Sequence, residues 1–191
     1  MALPPPGRTL RVIGFDDVPW RHRARGTVGL VGAVCAGTRF EGMVYGSVRR
    51  DGWRATLTVE RLLLESKFLP QLHLILLDGI AFGGFNVLDL PRLARTLRRP
   101  CVSLMRRMPD LPAMERAARR LPRPDARLAI LRRAGPIHVS GPFVYQVHGA
   151  EPGEIAAALR RLTDIGHVPE ALRLAHLIGG AFAYGESGRR A

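Results

Sequence analysis

Leu72-His73-Leu74-Ile75-Leu76-Leu77-Asp78-Gly79 is an apolar run too short for a free-standing helix, and it closes on a carboxylate and a glycine. Its length and terminators predict a buried strand that delivers Asp78 to a sheet edge. A second segment has the same form: Leu10-Arg11-Val12-Ile13-Gly14-Phe15 runs into Asp16-Asp17, and the chain then breaks at Pro19. Asp and Gly are common turn residues after strands, so either segment alone has an ordinary structural explanation. Two strands that both end in acid suggest a metal site instead, once topology sets them side by side.

The segments between these strands predict that topology. A basic loop, Arg21-His22-Arg23-Ala24-Arg25, leads into Gly26-Thr27-Val28-Gly29-Leu30-Val31-Gly32-Ala33-Val34-Cys35-Ala36, a long strand whose small residues allow close backbone approach. Gly37-Thr38-Arg39 is a short hairpin turn into Phe40-Glu41-Gly42-Met43-Val44-Tyr45-Gly46-Ser47-Val48, so three strands meander antiparallel. After Asp51-Gly52, Val59, Leu62 and Leu63 stand at helical spacing with Glu60, Arg61 and Glu65 between, which predicts a helix over 57–67 that Pro70 ends. The Asp78 strand follows, and a helical crossover of this kind makes the strands it joins parallel within one sheet. Phe82-Gly83-Gly84-Phe85-Asn86 reads as a flexible loop, 87–97 as a second helix stopping before Pro100, and Cys101-Val102-Ser103-Leu104-Met105 as a fifth strand. Beyond it, 109–120 is helical with a basic face, 127–131, 137–139 and 143–147 are short strands, and 151–163 and 169–184 are helices before a polar tail. There is neither an internal repeat nor a long linker. Residues 1–8, with three consecutive prolines, read as a disordered or extended lead-in, and residues 9–191 as a single domain.

At 191 residues the chain can bury roughly 70% of its unfolded surface, so it needs no disulfide or structural metal to hold it. Cys35 and Cys101 each sit in an apolar strand-like run without paired metal-ligand spacing, and read as buried free thiols of a reducing cytoplasm. No apolar stretch reaches the roughly 18 residues of a membrane helix, and Met1-Ala2-Leu3-Pro4-Pro5-Pro6-Gly7 has neither the basic start nor the apolar core of a signal peptide. A soluble cytoplasmic protein with no membrane partner is expected. The formal charge of +13 and pI near 11.4 favour polyanionic partners, nucleic acid above all, because clustered guanidinium groups neutralise phosphates and release counterions. Lys67 is the only lysine, so a genome-wide composition bias is the competing explanation of the arginine excess.

Three antiparallel strands, a helix, a strand, a helix and a further strand is the order of an RNase H-like fold, in which the first and fourth strands are parallel neighbours. Asp16 or Asp17 would then lie beside Asp78 at the carboxyl ends. Divalent ions held by adjacent carboxylates can activate water and stabilise the leaving oxygen in phosphodiester cleavage. Four stretches resemble the endonuclease dU family, a distant relative of endonuclease V: Ile13-Gly14-Phe15-Asp16-Asp17-Val18-Pro19-Trp20; Phe68-Leu69-Pro70-Gln71-Leu72; Leu77-Asp78-Gly79-Ile80-Ala81-Phe82-Gly83-Gly84-Phe85-Asn86; and Pro169-Glu170-Ala171-Leu172-Arg173-Leu174-Ala175-His176-Leu177-Ile178 with the closing Gly185-Glu186-Ser187-Gly188-Arg189. The resemblance implies an α/β fold: an RNase H-like mixed sheet, with an antiparallel meander followed by parallel strands, flanked by helices and carrying a C-terminal α+β elaboration. It implies a Mg2+-dependent endonuclease, with Mn2+ as a substitute, that cleaves DNA or RNA near deaminated bases (deoxyuridine or deoxyinosine) in repair. The family's first-motif Asp maps to Asp16, with Asp17 beside it, and its Asp-Gly to Asp78-Gly79, which makes Asp16 and Asp78 the expected catalytic and metal-binding pair. In one respect the chain departs from the family. Where an Asp-Ala-Thr-Glu-like segment is common, this chain has Arg54-Ala55-Thr56-Leu57, so Arg54 puts a cation where a third ligand is expected. Either Asp51 or Glu60 substitutes, or the protein binds nucleic acid without cutting it.

His176 lies on the apolar face of the last helix, where a satisfied core histidine is the ordinary reading and a site-lining residue the sharper one. Gly79, Phe85 and Asn86 follow Asp78 and are placed to contact a base, although the glycines of that loop equally serve a tight turn. Arg106, Arg107 and Arg189 are candidate phosphate contacts if they share the face that bears Asp78. A third reading, a basic module that docks on another protein, requires a large exposed apolar patch instead of an acidic pit in a basic field. The sequence leaves the oligomeric state open. If about six phosphates are contacted, log affinity for duplex DNA against log salt has an expected slope of roughly −5. A salt titration of oligonucleotide binding measures it, and a flat profile removes nucleic acid as the partner.

Overall fold

The computed structural model describes residues 3–5, 7–20 and 26–188. One mixed sheet contains β1 (Arg11–Asp17), β2 (Thr27–Ala36), β3 (Arg39–Arg49), β4 (Leu74–Asp78), β7 (Cys101–Met105), β8 (His138–Ser140) and β9 (Phe143–His148), in the order β3-β2-β1-β4-β7-β9-β8. β1, β2 and β3 form the expected antiparallel meander. β1 is parallel to β4 and β4 to β7, as helical crossovers require, and β9 returns antiparallel to β7. A two-stranded hairpin, β5 (Ala81–Phe82) and β6 (Asn86–Val87), stands apart beyond β4.

Side-chain alternation splits the core into two layers. Ile13, Phe15, Ile75 and Leu77 project to one face, where they pack with Ala55, Val59 and Leu63 of α1 (Ala55–Leu64) and with Leu90 and Leu93 of α2 (Leu90–Leu97). Val12, Leu74, Leu76 and Val102 project to the other, against Ile155 and Leu159 of α5 (Pro152–Arg161) and Leu172 of α6 (Glu170–Tyr184). The remaining helices, α3 (Leu111–Arg119) and α4 (Pro124–Arg133), pack against each other, and Met114, Ile130 and Leu131 rest on the first of these layers. Both cysteines are buried free thiols; burial pushes Cys35 up to about 12 and Cys101 upward as well. Among the described residues no helix is long and apolar enough to cross a membrane.

Several elements differ from the sequence expectation. The apolar run 127–131 is part of helix α4, not a strand: Pro124 occupies its first turn, where a missing N–H costs nothing. The 82–86 segment is the β5–β6 hairpin and is tied down on three sides. The Gly83 N–H donates to Asp17 Oδ2 at 2.6 Å, the Phe85 N–H donates to Asp51 Oδ1 at 2.8 Å, and Arg127 donates to the Phe85 carbonyl. Helix α2 begins at Leu90, not at residue 87, because Val87 pairs with Ala81 and the Asp89 carboxylate caps the helix by accepting from the Arg92 N–H. Helix α1 runs three residues short of the expected end at 67, and a single 3-10 turn, Leu69–Gln71, precedes β4. In the lead-in, Leu3 packs on the α5/α6 layer and Arg161 donates to the carbonyls of Pro4 and Arg8. The basic loop 21–25 and Arg189 lie outside the described residues.

Helix α6 lies directly on β1. A Cβ at Gly14 would stand 2.6 Å from the Ala171 carbonyl carbon and 2.6 Å from the Leu172 nitrogen, both backbone atoms of α6. Gly14→Ala therefore forces helix and sheet apart and is expected to destabilise the fold by about 1–3 kcal/mol, the range for overpacking a core. Urea denaturation of the two proteins measures the difference.

Candidate functional site

Phe15 of β1 and Leu77 of β4 are partners in the parallel register, so the residues one step further on, Asp16 and Asp78, leave the two strands together. Alternation turns both toward the α6 face, and turns Asp17, with Ile13 and Phe15, toward the α1 face. The two acids of the Asp16-Asp17 pair thus serve different sides of the sheet.

Asp16 is buried, at 6% exposure. Its Oδ1 accepts from the Asp17 N–H at 2.8 Å, and its Oδ2 lies 2.8 Å from Nδ1 of His176, which α6 brings in from 160 residues away. The carboxylate can only accept, so Nδ1 carries the donated proton. Burial pushes Asp78 up to about 6, the charge of nearby Asp16 adds to the effect, and Arg106, with Nη2 at 3.4 Å from Oδ2, pulls the other way. Gly79 turns the chain at the strand end with φ of 88°, and its N–H is taken by the Leu104 carbonyl at 2.7 Å. Asp16, Asp78, Gly79, His176, Arg106 and Arg107 line one open cavity of about 400 Å3, to which Asp17 and Pro19 also contribute. The chemistry of the cavity is that of two crowded carboxylates, an imidazole and two guanidinium groups at the mouth.

Other expected site residues are used elsewhere. Asp17 accepts from the Gly83 N–H and from the Trp20 side chain, and burial raises its pKa, so it anchors the hairpin instead of joining Asp16. Glu60 is held by Arg92 in two bonds of 2.9 Å between α1 and α2. Asp51 holds the Phe85 N–H and lines a separate cleft. Neither completes the Asp16–Asp78 pair, because α1 and the loop before it lie on the α1 face. Arg54 also stands in that separate cleft, so it does not bring a cation to the carboxylates. Asn86 is fully buried: its Oδ1 accepts from the Ala55 N–H at the start of α1, and its Nδ2 donates to the Arg49 carbonyl, which leaves no base contact to make. Phe85 packs against the α1-side core. The sharper sequence reading of His176, a site-lining residue, is the one the geometry matches, and the close approach of α6 that brings it there is made at Gly14 of β1.

Residues 8–183 match the family profile described as Endonuclease dU. A UPF0215 protein of Methanothermobacter thermautotrophicus is 37% identical over 183 residues, 93% of this chain and 90% of that protein. A UPF0215 protein of Deinococcus radiodurans is 37% identical over 181 residues, 94% and 92% of the two chains. Among solved structures, a protein of unknown function from Archaeoglobus fulgidus superposes with a TM-score of 0.86 at 34% identity, covering 91% of this chain and 98% of that one. Endonuclease V of Ciona intestinalis, in complex with a 24mer DNA containing an inosine, gives 0.56 at 15% identity over 89% and 84%. Human endonuclease V gives 0.55 at 12% over 90% and 83%, and at such identity the likeness establishes the shared RNase H-like fold.

The burial of Asp78, reinforced by the charge of Asp16, has a thermodynamic consequence. A carboxyl whose folded pKa is raised from 3.8 to about 6 binds its proton more tightly in the folded state, so its contribution to stability falls as pH rises from about 4 to 6 and stays low above that. Asp78→Asn removes this penalty. In metal-free buffer at pH 7 it is expected to be more stable than the parent protein by on the order of 1–3 kcal/mol, with the gain vanishing near pH 4. Denaturation at the two pH values measures it.

Proposed function

Because this chain belongs to the endonuclease dU family, we propose that it is a divalent-metal-dependent endonuclease that hydrolyses a phosphodiester bond in nucleic acid, with Asp16 and Asp78 holding the metal. The observation that carries this reading is the meeting of two carboxylates on one face, Asp16 buried and Asp78 half-buried, at the ends of adjacent parallel strands, where burial and then the charge of Asp16 raise Asp78. Among the described residues no group of three or more His, Cys, Asp or Glu side chains is arranged to hold a metal ion. The donor set nevertheless fits Mg2+, which is commonly bound by one or two carboxylates, with waters and substrate phosphate completing its shell. Mg2+, or Mn2+ in its place, supplies Lewis acidity toward the phosphoryl oxygen and lowers the pKa of a water. His176 orients Asp16 through the 2.8 Å contact. Arg106 and Arg107, at the mouth of the cavity, meet the charge of the phosphate, and Arg106 leaves Asp78 as it does so. In the reaction the water oxygen bonds to phosphorus, one ester P–O bond breaks, and the leaving oxygen takes up a proton. Deaminated bases, deoxyuridine or deoxyinosine, are the expected neighbours of the cut, in line with the family description and with the inosine-containing DNA bound by the Ciona intestinalis relative in fold.

That no third carboxylate joins Asp16 and Asp78 in a metal-holding group among the described residues favours one alternative, a nucleic-acid-binding protein that does not cut. Thermal melts with and without Mg2+ or Mn2+, together with a nicking assay on uracil- and hypoxanthine-containing strands, separate the two. The nuclease reading expects metal to raise Tm by about 2–4 °C for each kcal/mol of binding, and nicking to depend on metal. Asp16→Asn and Asp78→Asn should lose both responses. Binding without either response in the parent protein establishes the alternative.

A further inference from the structure

A second charged feature lies at the same end of the sheet. Register carries β3 upward from Arg39, opposite Ala36, to Arg49, opposite Thr27, so Arg49 stands at the end of the sheet where β1 also has its carboxyl end, with β2 between. There a cleft of about 870 Å3 opens between the start of α1 and the segment joining α3 to α4. Its walls carry Arg49, Arg54, Arg61 and Arg123, all exposed, with Trp53 at the rim, 39% exposed.

What distinguishes these four arginines is that they are gathered in one cleft with little acid to neutralise them. Among the described residues eight arginines pair with carboxylates: Arg11, Arg39, Arg50, Arg92, Arg106, Arg119, Arg133 and Arg173. Arg49, Arg54, Arg61 and Arg123 pair with no carboxylate among the described residues. The one acid of the cleft, Asp51, is committed to the Phe85 N–H and lies 3.5 Å from Arg50. Helix α1 also opens toward the cleft without an acidic residue in its first turn, which adds the positive end of its dipole.

The cleft is firmly built. Arg127, 3% exposed, forms its back wall by donating to the carbonyls of Pro122 at 3.0 Å and Asp51 at 2.8 Å, and its guanidinium stands 5.3 Å from the Trp53 ring centroid. Arg123 stands 5.9 Å from the same ring. Of the three non-glycine residues with positive φ among the described residues, two, Asp51 at 50° and Arg123 at 57°, belong to this cleft, and such backbone is kept only where the surroundings hold it. Gly83 connects the cleft to the carboxylate cavity: its N–H donates to Asp17 beside Asp16, and its carbonyl accepts from the Asp51 N–H at 2.8 Å.

We propose that this cleft is a second nucleic-acid contact, in which Arg49, Arg54, Arg61 and Arg123 hold phosphates of a single strand while Trp53 stacks on one of its bases. A groove of unpaired cations with an aromatic platform is the arrangement that binds single strands without reading their sequence. The strand crosses the Gly83 hairpin, so the cleft holds a part of it away from Asp16 and Asp78. This inference rests on the reading of the protein as one that acts on nucleic acid, but not on its cutting.

The test measures anisotropy of a fluorescein-labelled single-stranded DNA with the full chain in EDTA, from about 50 to 200 mM salt. Arg54→Ala/Arg61→Ala is compared with Arg39→Ala/Arg95→Ala, which removes the same charge from the opposite end of the sheet; thermal melts establish that each variant is folded. Each single-strand phosphate contact contributes about 0.7 to the salt slope, so the cleft variant should lose about 1.4 in slope and about 25-fold in affinity at 0.1 M salt, and the control far less. Quenching of tryptophan fluorescence by unlabelled strand should fall in Trp53→Phe. Equal losses in the two double variants, with quenching intact in Trp53→Phe, overturn the cleft and leave the nucleic-acid reading standing. Absence of binding by the parent protein overturns both. Binding that depends on the cleft but is followed by no metal-dependent cutting supports the cleft and removes only the nuclease reading.

Discussion

Parallel pairing of β1 with β4 is the constraint on which the site depends. The two strands are apolar on both faces and buried, so their register is set by side chains packed above and below them. A slip of one residue would turn Asp78 toward the α1 face and bury Leu77 where the cavity now opens. The core therefore holds two like charges close together, against their repulsion, and this makes the strand ends a place for a cation.

Helix α6 closes the other side of that arrangement. It can deliver His176 to Asp16 only because Gly14 lets helix backbone rest on the strand, whereas a Cβ at Gly179 would meet its nearest neighbours, Val18, Pro19 and Asp17, only at ordinary contact distances of 3.4–3.6 Å. Its first turn is fixed by Glu170, whose carboxylate takes two bonds from Arg173. The contact between the first strand and the last helix thus joins ends of the chain into one site, and anything that loosens it loosens the imidazole.

The hairpin beyond Asp78 serves as the hub between the two faces of the sheet. Asp17, Asp51, Asn86 and Arg127, four polar side chains that a site search by residue type would gather as ligands or base contacts, are spent on its backbone and on its neighbours. Buried backbone groups require partners, and a short hairpin with two glycines at positive φ has few of its own to offer. The polar side chains nearby supply them.

What the sequence by itself determined is the order of elements and the acids at the ends of two strands. Short apolar runs bounded by Pro and Gly specify strands locally, a helical crossover dictates that β1 and β4 run parallel, and Asp16 and Asp78 follow from those two facts. The family resemblance is carried by the same local motifs. The tertiary structure alone decided which polar groups remain available. Glu60 is taken by Arg92, Asn86 by the start of α1 and Asp51 by the hairpin, whereas His176 crosses the whole chain to reach Asp16. It also decided that 127–131 belongs to a helix in which Arg127 and Leu128 are buried, because Arg127 turns inward to satisfy carbonyls, which no local period records. The physical reason is that backbone preference and periodicity act between neighbours in sequence, while the pairing of charges and hydrogen bonds depends on neighbours in space.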